Sequence, residues 1–344
     1  MGACSAKSAA SDPKSVDEVI ARVVKTKGAT LDLSAAPAGS DAPPGLLHRC
    51  GLSLGGEVPE AVYGASSVTT LSLKTGSRAP PAELGALACL ATLDVSENKL
   101  ATLPAEVGKL GKLTTLVAFK NVMTALPDAL ATAALANLNL YNNKLTKLPA
   151  TLANLENLED VNLGANKLKM TPKLDKWSKV RELRLHQNNL ISQFLPSFAG
   201  LASLELLKIE RNLALSAFPA LGLPALALPE LTTLNAGSNK ALRARAGPHR
   251  APKLRVLFVD DCAIVEVDAA NTPAAFPGLE RLQCTSDTTL ESSCDALRAV
   301  ISGVMRGGDA VLGPEQVEAP VVEERHGDGL APGDVRRQHR ARAP

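Results

Sequence analysis

Aromatic residues are scarce in this chain of 344 residues, which has one Trp, two Tyr and six Phe. Leucine is abundant instead: its 55 copies make up about one residue in six. The interior therefore has to be built from small aliphatic side chains, a bias that is typical of repeat proteins.

An excess of charge of one sign is also missing, since 37 Lys and Arg stand against 35 Asp and Glu for a net charge of +2. Without a strongly basic field we expect no nucleic-acid binding. No apolar run approaches the roughly 18 to 20 residues that cross a bilayer. The first residues, MGACSAKS, lack the apolar segment of a secretory signal. We therefore expect a cytoplasmic protein.

The sequence motifs of metal sites and catalysis are absent as well. The six cysteines show no Cys-x-x-Cys or Cys/His spacing, so we expect reduced thiols rather than a zinc site or a disulfide framework. There is no Walker loop, no G-x-G-x-x-G after a strand, no HExxH, no G-x-S-x-G and no kinase signature. The paired carboxylates Glu159-Asp160 and Asp260-Asp261 are interpreted as solvated, or for the second pair as ion-paired with Arg255. We predict no catalytic residue, no metal, no cofactor and hence no enzyme.

What the sequence does contain is an internal repeat. The segment LATLDVSENKL, from Leu90 to Leu100, has the spacing L-x-x-L-x-L-x-x-N-x-L, which recurs at intervals of 22 to 27 residues. Further units start at Leu113, Leu135, Leu158, Val180, Leu204, Leu231, Leu254 and Leu279, and weaker ones at Val68 and near Gly28. Within each unit the fourth and sixth places alternate as on a strand, so they point to one face. Because a single unit cannot bury that face, the units have to stack.

Asparagine stands at the ninth place of seven successive units. A side-chain amide can satisfy backbone groups where the chain leaves the strand, which an aliphatic residue cannot do. Cys262 and Asp287 replace it in the last two units, which predicts a less regular array there. The predicted structural asparagine ladder consists of Asn98, Asn121, Asn143, Asn166, Asn188, Asn212 and Asn239.

Several units continue as L-x-x-L-P-x-x-[LV], for example at Leu103-Pro104 and Leu126-Pro127, and proline places this half outside the sheet in a turn or short helix. The combined motif resembles intracellular leucine-rich repeats, especially the 23-residue type of Ras-associated scaffolds and of the plant intracellular Ras-group proteins. This resemblance implies an α/β fold: a curved, horseshoe-shaped solenoid with a parallel inner sheet and convex loops or short helices. By analogy it also implies signalling partners such as a small GTPase or a phosphatase subunit.

The remaining segments give the domain organisation. We expect residues 1–14 to form a flexible N-terminal segment, 15–67 a cap helix and a degenerate repeat, 68–290 the repeats, 291–306 a C-terminal cap helix and 307–344 a disordered tail. A partner-binding amphipathic helix is the alternative at each end. The apolar, proline-containing stretch at 214–230 is interpreted as a loop that packs on its own convex side, and the basic cluster after 240, which includes Lys240, Arg243 and Arg245, as a solvated face; a docking surface is the alternative for each.

The N-terminus resembles an acylation sequence, with Gly2 as the myristoylation site and Cys4 as a neighbouring palmitoylation site. It departs from the strict form at Ala6, where Ser or Thr is usual. Since one myristoyl chain binds membranes only marginally, Cys4 would supply the second anchor. An ordinary disordered tail is the alternative, and we expect membrane contact only if these residues are acylated.

The inner face of the sheet is the predicted binding site, because the residues between the stacked leucines project there side by side. Aromatic and arginine side chains dominate binding energy at interfaces. The predicted partner-binding residues are Phe119, Lys120, Tyr141, Asn142, Arg184, His186, Lys208, Glu210, Arg211, Phe258, Asp260 and Asp261. We expect a monomeric, non-enzymatic scaffold that binds a protein partner. The alternatives are the substrate-recognition arm of a kinase or ubiquitin ligase whose catalytic part lies elsewhere, and a membrane-attached or ciliary structural adaptor.

Overall fold

The computed structural model describes residues 29–33, 62, 67–73, 78, 82–192, 198, 200–216, 228–246, 252–267 and 278–283. The chain divides into two compact units, Met1–Val304 and Met305–Pro344, and all the described residues belong to the first. Both predicted cap helices, Gly2 and Cys4, and the predicted tail lie outside the described residues.

A short strand recurs in each repeat, and the units at Leu231 and Leu254 contain a second one. The strands are β1 (Ala29–Asp32), β2 (Val68–Ser72), β3 (Thr92–Asp94), β4 (Thr115–Val117), β5 (Asn137–Asn139), β6 (Asp160–Asn162), β7 (Glu182–Arg184), β8 (Leu206–Lys208), β9 (Thr233–Asn235), β10 (Arg243–Ala246), β11 (Val256–Phe258), β12 (Ala263–Val267) and β13 (Arg281–Gln283). Eleven of them form one open sheet in the order β1 to β9, β11 and β13. Each strand pairs in parallel with its neighbour. The weak units near Gly28 and at Val68 thus contribute strands β1 and β2.

The register of the sheet places equivalent repeat positions side by side. Leu116 of β4 pairs with Leu93 on one side and with Leu138 on the other, and Leu138 pairs with Val161. In each of these three-residue strands the middle side chain is buried and the outer two are half-buried. The alternation therefore separates a leucine core from a polar inner face, as the spacing predicts.

The core is a stack of aliphatic layers. The first, fourth, sixth and eleventh places of the unit at Leu135 are all buried, and the same holds for its neighbours. Each such side chain contributes roughly 1.5 to 3 kcal/mol on burial. Trp177, the one tryptophan, is also buried, and its indole N–H donates to the Leu152 carbonyl at 3.2 Å.

Short 3-10 helices occupy the outer half of four units, at Ala82–Ala86, Ala105–Lys109, Asp128–Thr132 and Ala150–Asn154. The last three begin directly after Pro104, Pro127 and Pro149, where the fixed φ of proline suits a helix start and its missing N–H removes no bond. A helix is wider than the spacing of about 4.8 Å between strands, so the sheet curves with the helices outside. This is the predicted curved leucine-rich-repeat solenoid.

The ladder asparagines are all buried and bond the backbone of two units at once. In one rung the Asn166 Nδ2 group donates to the carbonyls of Leu163 in its own unit (3.1 Å) and Leu140 in the preceding unit (3.0 Å). Its Oδ1 accepts the N–H of Leu145 at 3.0 Å. At Cys262 the thiol takes the donor role and contacts the Ala236 carbonyl at 3.1 Å.

A left-handed bend directly precedes each of these positions. Eight residues other than glycine have φ between 51° and 58°: Glu97, Lys120, Asn142, Ala165, Gln187, Arg211, Ser238 and Asp261. Such a backbone conformation costs roughly 1 to 2 kcal/mol in a residue with a Cβ. The bend turns the next side chain inward, where the bonds of the ladder offset this cost.

A second, two-stranded parallel sheet of β10 and β12 lies outside the main sheet order. It replaces the loops or short helices that the sequence predicts on the outer side of the units at Leu231 and Leu254. Arg243 and Arg245 of the predicted basic cluster therefore lie in a strand, β10.

Candidate functional site

The inner face of β5, β6 and β7 carries an ionic cluster around Arg184. Its guanidinium donates to Asp160 at 2.9 Å and to Glu182, so two carboxylates on adjacent strands hold one cation. Partial burial would lower the pKa of Arg184, but the two carboxylates outweigh it and raise that pKa. Burial also raises the pKa of Asp160, with a further contribution from Glu182, and Arg184 offsets this only in part. The two ion pairs hold the Arg184 guanidinium in one orientation.

An aromatic pair lies beside this cluster. The rings of Tyr141 and His186 have centroids 5.7 Å apart at a tilt of 31°, although the two residues belong to units separated by a third. The intervening unit has Gly164 at this place, and a Cβ there would lie 2.3 Å from His186 Cε1. Glycine thus makes the room in which the two rings approach each other.

We call Tyr141, Asp160, Glu182, Arg184 and His186 the central patch. Tyr141 and Arg184 are half-buried, so each presents part of its surface to a partner. Asp160, Glu182 and Gly164 were not among the predicted site residues. The sequence signal for Gly164 is a glycine at the seventh place of a unit, between units with Tyr and His at that place.

Two of the predicted residues are not exposed as expected. Phe119 is only 3% exposed and His186 only 4%. Both stand at the seventh place, where the chain has passed the last strand residue and starts to turn inward, so the side chain packs against neighbouring units. The expectation that Phe119 is an exposed contact residue is wrong. Lys120 covers it, with Nζ 5.8 Å from the ring centroid and 4.0 Å from the Glu97 carboxylate.

Four predicted residues stand at the left-handed bends, where the strands end: Lys120, Asn142, Arg211 and Asp261. Asn142, Arg211 and Asp261 are exposed and Lys120 is half-buried. Asp261 accepts a weak hydrogen bond of 3.4 Å from the Ser238 hydroxyl. Glu210 and Asp260, at the seventh place like His186, are half-buried. These residues border the inner face rather than cover it.

The predicted residues do not form one cluster. Lys208 of β8 is in register with Arg184, so it adjoins the central patch. Phe258 lies on β11, three strands from Arg184 in the sheet, or about 14 Å at the usual strand spacing. There the guanidinium of Arg281 lies 5.3 Å from the Phe258 ring centroid. The sheet therefore holds a central patch and a separate aromatic and arginine pair near its C-terminal end.

The described residues contain no group of three or more His, Cys, Asp or Glu side chains that could hold a metal ion. Among these same residues, no helix has the length and apolar character needed to span a membrane. Burial raises the pKa of Cys262 to about 11, which keeps its thiol protonated as the donor of the ladder.

Three solved structures that are similar to this chain differ in their sequence identity and TM-score. The plant peptide hormone receptor RGFR1, in complex with RGF2, is 21% identical with a TM-score of 0.53, over 67% of this chain and 42% of the receptor. PEPR1–AtPEP1 is 24% identical with a TM-score of 0.56, over 66% of this chain and 33% of the other. YopM from Yersinia enterocolitica is 30% identical with a TM-score of 0.49, over 62% of this chain and 41% of YopM.

This chain therefore spans less than half the length of each of these structures. At 21% and 24% identity, RGFR1 and PEPR1–AtPEP1 show the fold alone. No curated protein matches the sequence significantly. The family model described as "Leucine-rich repeat region" matches residues 70–296, the part that contains strands β3 to β13. The chain belongs to the leucine-rich repeat family, whose members commonly act as protein-interaction scaffolds.

Proposed function

We propose that this protein is a non-enzymatic scaffold that binds a protein partner through the central patch. The observation that carries the proposal is Arg184, which is held by two carboxylates next to the half-buried Tyr141 ring. Arginine and tyrosine are the side chains that most often dominate the binding energy of an interface. Because Arg184 is already fixed, it loses little conformational entropy when a partner binds, which favours affinity.

The backbone around the patch supports the same proposal. The Asn139 and Asn162 side chains accept the N–H groups of Tyr141 and Gly164, each at 3.1 Å. These bonds fix the chain where it leaves β5 and β6. A partner therefore meets a surface whose backbone and side chains are ordered beforehand.

The partner that we propose is an intracellular signalling protein. The support is the resemblance of the repeat motif to Ras-associated repeat proteins, which suggests a small GTPase or a phosphatase subunit. We further propose a cytoplasmic location, with attachment to the inner membrane face if Gly2 and Cys4 are acylated. Metabolic labelling with a myristate analogue tests the attachment, with Gly2→Ala as the control. An unlabelled wild-type chain would remove the acylation argument.

The binding site is tested by affinity capture and quantitative mass spectrometry with three forms of the protein. They are the wild type, a Tyr141→Ala/Arg184→Ala variant and a Phe258→Ala/Arg281→Ala variant. The second variant removes an aromatic and an arginine side chain from the same sheet about 14 Å away. We expect a partner that is retained by the wild type and by the Phe258/Arg281 variant and lost from the Tyr141/Arg184 variant. If every captured protein binds all three forms equally, the central patch is not the binding site.

A further inference from the structure

Lysines line the edge of the sheet at which the strands end. The segments that follow the bends of four successive units, 98–103, 121–126, 143–148 and 166–171, contain five lysines and no Asp or Glu. We call these five side chains the lysine edge: Lys99, Lys144, Lys147, Lys167 and Lys169. All five are exposed.

The charge of the lysine edge is not neutralised by nearby carboxylates. In the part of the chain that the structure describes, none of its five lysines forms an ion pair. Two lysines that precede strands are paired instead: Lys176 with Glu156 at 2.9 Å and Lys253 with Glu230 at 2.6 Å. A local excess of positive charge therefore exists on one edge, although the net charge of the whole chain is only +2.

Exposed apolar side chains accompany these lysines. Met170, between Lys169 and Lys173, is 44% exposed. Leu213 is 65% exposed and directly follows Asn212, the place that Lys144 and Lys167 occupy in their own units. Both of the large hydrophobic side chains that are exposed among the described residues thus lie at the strand-end edge.

We propose that the lysine edge docks on the surface of a bilayer that contains anionic lipid. Lysine is a flexible point charge, which suits an array of mobile headgroups better than a fixed bidentate contact. A lysine near an anionic leaflet strengthens binding by about fivefold, and aliphatic side chains such as Met170 and Leu213 add apolar contact at the interface. This surface goes beyond the proposed partner site on the inner face.

The composition of the edge favours lipid over the other polyanions. Binding to nucleic acid draws on arginine for base edges and on aromatic rings for stacking. The four edge segments contain no Arg, Phe, Tyr or Trp. Arginine and aromatic residues also characterise the centres of protein interfaces, and here they lie on the inner face instead.

Vesicle binding by the purified, unacylated chain of 344 residues tests the proposal. Sedimentation compares vesicles of phosphatidylcholine alone with vesicles in which about a third of the lipid is phosphatidylserine. The edge variant is Lys144→Gln/Lys167→Gln/Lys169→Gln. The control variant, Lys109→Gln/Lys112→Gln/Lys179→Gln, removes the same charge from exposed lysines on the outer side or before the strands. Circular dichroism verifies that both variants are folded.

We expect the wild type to bind only the phosphatidylserine vesicles. The edge variant should lose at least tenfold in affinity, since three lysines at about fivefold each are removed, and the control variant should stay within about twofold. Met170→Ser/Leu213→Ser, which leaves all charges in place, should weaken binding severalfold. Equal binding by the edge and control variants, or no preference for phosphatidylserine, would overturn the proposal. So would tighter binding to poly-glutamate or duplex DNA than to the vesicles at the same salt concentration.

Discussion

One buried N–H group decides how much a rung of the asparagine ladder contributes to stability. In the unit at Leu158, Asn166 Oδ1 accepts the N–H of Leu145. The carbonyls to which Asn166 donates have second donors, because Asn143 also donates to Leu140 (3.1 Å) and Asn188 to Leu163 (3.0 Å). Losing Asn166 therefore leaves both carbonyls with one amide each, whereas the Leu145 N–H loses the partner that the ladder gives it.

We predict that Asn166→Leu lowers the free energy of unfolding by roughly 2 to 4 kcal/mol. About 1 to 3 kcal/mol of this is the desolvation penalty of the orphaned N–H, and the rest is the weaker bonding of the two carbonyls. Asn166→Cys restores a donor, as Cys262 does in its own unit, but no good acceptor. The cysteine variant should therefore recover no more than about 1 kcal/mol of the loss.

Urea denaturation followed by circular dichroism measures both variants, and unchanged m-values verify that the unfolding reaction is the same. The matched control is Asn189→Leu, one residue after Asn188, on an exposed side chain outside the bend, which should be near neutral. The reasoning fails if Asn166→Leu destabilises the protein by less than about 1 kcal/mol. It also fails if the cysteine variant is as stable as the wild type, because the donor half of the amide would then be the important one.

Three further predictions concern the packing and chemistry of single residues. Gly108→Ala should lower the free energy of unfolding by roughly 1 to 3 kcal/mol, since the added Cβ would lie 2.4 Å from the Ala129 carbonyl oxygen. In the control variant Gly111→Ala the Cβ meets nothing within 4 Å, so the same urea experiment should show almost no change. Cys262, with a pKa of about 11, should resist iodoacetamide at pH 8 by peptide mapping while half-buried Cys89 reacts, and equal rates would contradict this. Because the pKa of Cys262 is raised in the folded state, its contribution to stability should be lost as the pH rises from about 9 towards 11. Finally, Ala165→Gly should raise the midpoint of thermal unfolding or leave it unchanged. Glycine removes the strain of a Cβ in the left-handed conformation, about 1 to 2 kcal/mol, and this gain exceeds the conformational entropy that glycine loses on folding, about 0.5 to 1 kcal/mol.

The regular part of the fold could be predicted because periodicity fixes it. A strand that alternates Leu and polar residues at a constant repeat length admits one stacking, so the order and register of β2 to β9 follow from the spacing alone. Prolines such as Pro104 and Pro127 likewise begin the outer 3-10 helices where the sequence indicates. The left-handed bends could not be predicted, because no glycine marks them. Residues as different as Glu97 and Ala165 adopt this conformation because the hydrogen bonds of the asparagine that follows stabilise the bend.

The second sheet of β10 and β12 was missed for a related reason. From Asn121 to Asn212 each ladder oxygen accepts an N–H two residues after the preceding asparagine, whereas Asn239 accepts the N–H of Asn212 itself, at 2.6 Å. The chain beyond the bend therefore follows a different course from this unit on. The sequence indicates this irregularity through Cys262, which has no amide oxygen, but not the strands that result from it.

The candidate site shows where periodicity stops being informative. A repeat pattern assigns a side chain to the inner face from its place in its own unit, so Phe119, Tyr141 and His186 are equivalent by that criterion. Their exposure depends instead on the neighbouring units. Gly164 lets the His186 ring lie across the intervening unit towards Tyr141, and this position buries the His186 ring. The contact surface of such a sheet is thus set by the size of side chains one and two units away. It follows that glycine at the seventh place brings inner-face residues of other units together only where their side chains are large enough to fill its space, as at Gly164 and not at Gly237, where a Cβ would meet nothing closer than 3.5 Å.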